Sequence, residues 1–189
     1  MPCGRPLPVV ITSGNFTGEV GAMKLTEAEI NERVAAAQER RKKLVDLRLA
    51  VLEGHLIMEE ALNGFLETSM FNPGEVKLDR TNFHVKGSFA VSLAASRGKD
   101  ELWAAFWAIN QLRNKVAHNI DSEEIDEKME YLRKVYIAAL EPKPAEYAKT
   151  LGDKDLADQA CGVCAGFLGQ LASEAKTRRS IIDQYWKGP

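Results

Sequence analysis

From Thr26 onward, apolar positions recur every three or four residues, and stop signals divide them into helices. Thr26-Glu27-Ala28-Glu29 has the form of a capping box, Thr at N-cap and Glu at N3, and no Pro follows until Pro73. Leu44, Leu47, Val51, Met58, Leu62 and Phe65 form the seam of one long amphipathic helix, interrupted once by Gly54. The first half of that helix, residues 31–44, carries charge around most of its circumference, which predicts a solvated face. Asn72-Pro73-Gly74 is a strong stop, and residues 75–82 read as a loop. Phe83, Phe89, Ala90, Leu93 and Ala94 suit a second helix with Gly98 as its C-terminal stop. Asp100 is placed to cap a third helix over 101–118, rich in large apolar residues. The acidic start of 121–130 complements the dipole of a fourth, running to about Leu140. Glu141-Pro142-Lys143-Pro144 reads as a linker before a last helical segment, with a break near Gly152. No stretch alternates with the period of a strand. The pattern predicts an all-α protein: a leader over 1–25, a helical bundle over 26–140, and a C-terminal helical segment over 145–187 that packs on the bundle or on a partner chain.

Composition narrows the chemistry. The chain has 189 residues, 45% of them hydrophobic, and a formal charge of −2, so a globally basic nucleic-acid coat is excluded while a local basic groove is not. No apolar run approaches the ~20 residues of a membrane span. Three cysteines, Cys3, Cys161 and Cys164, cannot build a disulfide framework and fit a reducing cytosol. Residues 1–24 hold three prolines and four glycines around an apolar centre too short for a secretory signal. Cys161 and Cys164 make a lone C-x2-C with no second pair to complete a zinc site; they read as small buried side chains on an Ala/Gly-rich face suited to close helix contact. No phosphate-loop, dinucleotide or zinc-protease motif occurs.

The third helix ends in the most informative stretch, 112-LRNKVAHN-119. Asn114 and His118 are four apart and share a helix face, with Arg113 turned by roughly 100°. A guanidinium can hold phosphate, and an imidazole, as a type, moves protons near neutral pH. The same residues also suit a surface ion pair and an ordinary helix-end histidine. Arg40, Arg41, Lys42 and Lys43 are the densest basic run; Lys176, Arg178 and Arg179 form another. Both runs fit a solvated helix face, or phosphate tracking if RNA is bound. His55 stands four residues before Glu59, so an i,i+4 pair is expected. His84 is expected to be exposed, and Trp103, Phe106 and Trp107 to anchor a core or an interface.

Arg113-Asn114-Lys115-Val116-Ala117-His118, closing an apolar helix in an all-α chain, resembles the R-x4-H signature of the HEPN superfamily, in the form with Asn after Arg. The order of 55-HLIMEEALNGFLE-67, then 83-FHVKGSFAVSLAA-95, then the RN-x-x-AH helix is similar to the mannitol operon repressor branch of that superfamily. The likeness covers roughly residues 44–140. Ile120 stands where HEPN toxins paired with a nucleotidyltransferase antitoxin carry Tyr, which argues against that system. The resemblance implies a four- to five-helix bundle, cytoplasmic, acting as a homodimer without metal or cofactor. Its implied activity is that of a metal-independent endoribonuclease, a toxin or phage-defence effector, with RNA as substrate and an antitoxin or regulatory protein as a further partner. It gives Arg113 the phosphate charge, His118 the proton transfers, and Asn114 the orientation of His118 or a phosphate contact. Some relatives keep the bundle as non-catalytic regulators, which is the alternative reading.

Overall fold

The computed structural model describes residues 26–94, 100–118 and 122–186; the leader over 1–25, Gly98 and Ile120 lie outside them. The described residues are all-α, with no strand among them. Helix α1 spans Glu27–Ser69, α2 Phe83–Leu93, α3 Asp100–His118, α4 Ser122–Ala138, α5 Pro142–Lys149 and α6 Asp153–Trp186. The chain divides into two compact units, Met1–Ala37 and Gln38–Pro189.

In the first unit the described part is the start of α1, and the capping box is formed: Thr26 N–H donates to the Glu29 carboxylate at 2.7 Å and Glu29 N–H donates to Thr26 Oγ1 at 3.3 Å. Those bonds satisfy donors that the first turn of a helix leaves without partners. Two acids in that turn, Glu27 and Glu29, also suit the positive end of the dipole.

The second unit holds one core. Val51, Met58, Leu62 and Phe65 of α1 meet Phe106, Ile109 and Leu112 of α3, Ile125, Leu132 and Tyr136 of α4, and Leu156, Cys164 and Leu168 of α6. Each such side chain contributes about 1.5–3 kcal/mol by leaving water. The segment after Pro144 is therefore part of this core. Trp103 lies edge-on to Phe106 at 5.4 Å and to Phe167 of α6 at 5.2 Å.

Several expectations are corrected. Residues 75–82 are not a plain loop: short 3-10 turns form at Pro73–Glu75 and Leu78–Arg80, and the second buries Leu78. The expected linker at 141–144 opens α5, because Pro at the first helical position lacks only an N–H that had no partner. On α2 the buried face is Lys86, Gly87 and Ala90, while Phe89 and Leu93 are exposed, since Gly87 lets α2 approach the Phe106 and Trp107 rings closely. Asp100 is the first helical residue of α3 rather than a residue before it.

Gly54 does not interrupt the α1 seam. It continues the spacing from Val51 to Met58 and is buried where α6 passes: a Cβ there would lie 2.7 Å from both Cβ and Sγ of Cys161. The small-residue face of α6 thus has its partner within the chain at this point, not on a second chain. Cys161 and Cys164 are free and buried, and burial pushes the Cys161 thiol up to about 12. Gly54→Ala is expected to destabilise the fold, because overpacking of about 1–3 kcal/mol exceeds the gain of about 1 kcal/mol in helix propensity. Gly64→Ala, where nothing lies within 4 Å of the added carbon, is expected to stabilise it. Urea unfolding of the two variants checks the opposite signs.

Candidate functional site

The site is built at the C-terminal half of α3, where the apolar stripe of Ile109, Leu112 and Val116 faces the core and the polar residues emerge beside it. Asn110, Asn114 and His118 follow one another at four-residue intervals, so they lie along one line of the helix. Asn114 and His118 are exposed and Arg113 is half-buried. Arg113 Nη1 donates to Asn114 Oδ1 at 3.2 Å, so two of the three predicted residues touch. His118 stands at the last helical position, on the same face as Asn114.

The end of α3 is fixed by neighbours on both sides. Arg48 Nε of α1 donates to the Val116 carbonyl at 2.8 Å, a group that the last turn of a helix leaves without an internal partner. A cation there also complements the negative end of the dipole. Lys115 Nζ meets Glu124 Oε2 of α4 at 2.8 Å.

Behind Arg113 lies a buried polar cluster. His55 of α1 is 3% exposed, its ring 4.2 Å from that of Phe83, and its Nε2 is 3.4 Å from Asn110 Oδ1. Burial, and then the Arg113 charge, hold the imidazole below the ordinary histidine value; the Asn110 bond and Glu59 act the other way. His55 is therefore neutral at neutral pH, and because an amide oxygen only accepts, its proton belongs on Nε2. The expected His55–Glu59 pair is not the arrangement found. Glu59 Oε1 instead accepts from Lys86 Nζ at 2.7 Å, with the lysine side chain 3% exposed. Glu59 thus balances Lys86.

The sequence reading missed Asn110, Lys86 and Arg48. For Lys86 the signal was its place three residues after Phe83 on an apolar helix, where no exposed lysine is needed. Among the basic runs, Arg40, Arg41, Lys42 and Lys43 are all exposed, and Lys43 lies 4.0 Å from Glu39. Arg179 is not a free phosphate contact: it donates to the Met70 and Phe71 carbonyls at 2.8 and 3.2 Å and sits over the Phe71 ring. His84 is exposed, as expected, with its ring 4.9 Å from that of Trp107.

Neither Arg113 nor His118 lines the surface hollow bounded by Thr68, Lys176, Arg179 and Asp183. Among the described residues no group of three His, Cys, Asp or Glu side chains is placed to hold a metal ion, and no helix is long and apolar enough to cross a membrane. No protein-family model, no curated protein and no solved structure matches this chain.

The depressed value at His55 makes stability depend on pH. A histidine that resists protonation in the fold contributes stability that is present above about pH 6.5 and is lost as pH falls from there toward its folded value. Wild type is therefore expected to lose more thermal stability than His55→Gln between about pH 7.5 and 5.5, a difference that paired melting curves measure.

Proposed function

We propose that this chain is a metal-independent endoribonuclease of the HEPN type, with Arg113 and His118 in the chemistry and Asn114 orienting or binding beside them. The observation that carries the reading is the state of Arg113. It is half-buried five residues before an exposed histidine on the same helix and forms no ion pair with a carboxylate among the described residues. A guanidinium with no carboxylate beside it among the described residues can take a phosphate through its planar fork of donors.

In the proposed reaction the 2′-hydroxyl of the RNA attacks the adjacent phosphorus while a base takes its proton. An acid protonates the leaving 5′-oxygen, giving a cyclic phosphate and a free hydroxyl end. Arg113 offsets the charge that builds on the phosphorane oxygens. One chain supplies one suitable imidazole, and a two-fold dimer supplies base, acid and two guanidinium groups. The exposed cations at Arg40 and Lys43 give the backbone a salt-sensitive track.

The test is incubation of wild type with mixed RNA pools in EDTA, with product ends determined. Cleavage leaving cyclic phosphate ends is expected. No cleavage across the pools by a folded dimer free of bound protein would retire the nuclease reading in favour of the non-catalytic regulator.

A further inference from the structure

Helix α1 carries a second apolar line, opposite its buried seam and open to solvent. Val45, Leu49 and Leu56 are 53%, 56% and 67% exposed, and Leu52 between them is 37% exposed. Their spacings of four, three and four place them within about 60° of one another on the helix at roughly 100° per residue. That is the spacing of a two-helix seam rather than of scattered surface leucines.

The charges one turn beyond the two ends of that line are opposite in sign. Arg41 and Lys42 precede the line by one turn, and Glu59 and Glu60 follow it by one turn. Two such helices side by side in parallel would set lysine against lysine and glutamate against glutamate. Set antiparallel about a two-fold axis between Ala50 and Val51, Leu49 meets the partner's Leu52 and Val45 meets the partner's Leu56. The same register puts Lys42 beside the partner's Glu60 at both ends.

We propose that a second copy of this chain docks on the Val45–Leu56 face of α1 through an antiparallel α1–α1 contact. The contact deepens the nuclease reading, on which it rests for its effect on cleavage, by naming the surface that completes the site. Arg48 lies only about 4 Å along the helix from the two-fold axis at 1.5 Å per residue. It holds the Val116 carbonyl, and so the end of α3 with Arg113 and His118, beside that axis. Antiparallel pairing brings the same flank of both helices together, so both copies' α3 ends line one side of the contact.

Sedimentation equilibrium of the full chain tests this. Wild type is expected to be a dimer, and Leu52→Glu, which changes an outward position, to raise the dissociation constant at least about tenfold while keeping its helical signal. Lys42→Glu and Glu60→Lys, each alone, set like charges together and are expected to weaken association by about tenfold. An equimolar mixture of these two variants restores opposite charges at both ends and is expected to regain wild-type dimer mass. A monomeric wild type, a dimer indifferent to Leu52→Glu, or charge variants that stay apart on mixing would overturn the contact. RNA cleavage by a monomer overturns the contact and spares the nuclease reading. A dimer with the predicted charge response and no cleavage retires that reading and spares the contact.

Discussion

Replacing His118 by alanine is expected to reduce RNA cleavage by about 10²–10⁴-fold, the range a positioned acid or base supplies. The side chain is exposed at the last position of α3 and makes no hydrogen bond or ion pair among the described residues, so helical signal and dimer mass should be unchanged. Arg113→Ala is expected to cost about 10²–10³-fold through lost charge stabilisation. Arg113→Lys should recover only part of it, because a single ammonium does not reproduce a planar fork of donors on phosphate oxygens. Asn114→Ala removes the acceptor that Asn114 offers the Arg113 guanidinium and is expected to be milder. Gel assays in EDTA on the same RNA rank the four variants. Full activity in either His118→Ala or Arg113→Ala would remove that residue from the chemistry.

The second large effect lies behind the site. Glu59→Gln leaves the Lys86 ammonium buried without its carboxylate, and is expected to destabilise the fold by about 3 kcal/mol, the cost of orphaning a buried charge. For a domain of this size that is a fall in Tm of roughly 6–12 °C. Lys86→Met should cost less, because Glu59 is 31% exposed and can be hydrated. The double variant should recover most of the loss, since an apolar replacement of a buried pair is often close to neutral. Additive losses in the double variant would show that the two charges are not coupled.

The helices were legible because their signals are local. The capping box at Thr26, the stop at Asn72-Pro73-Gly74 and the acidic start near Ser122 act within one turn of the chain, and each appears where the pattern placed it. Proline at 142 misled for a local reason too, since the residue that ends a helix also starts one well. Phe89 and Leu93 fall in α2 as their spacing predicts, yet both side chains are exposed. Hydrophobicity marks what can be buried, but which face of α2 is buried was decided by Gly87 and its approach to the α3 rings.

The sequence by itself determined that the chain is helical, where most of its helices begin and end, and that Arg113, Asn114 and His118 are carried at one helix end. Those are consequences of a fixed 100° turn per residue and of backbone groups that need partners at helix termini. Only the tertiary structure decided that His55 bonds Asn110 rather than Glu59, that Glu59 is held by Lys86, and that Arg113 has no carboxylate partner among the described residues. The partners in those contacts stand 27 to 55 residues apart at 2.7 and 3.4 Å, and no periodicity along one helix specifies which side chain of another will come that near. The same holds for Gly54, which reads as a flaw in a seam and is where Cys161 of α6 packs against α1. Pairing of charges and small residues across helices depends on the packing that brings the helices together, and that packing is a property of the whole core.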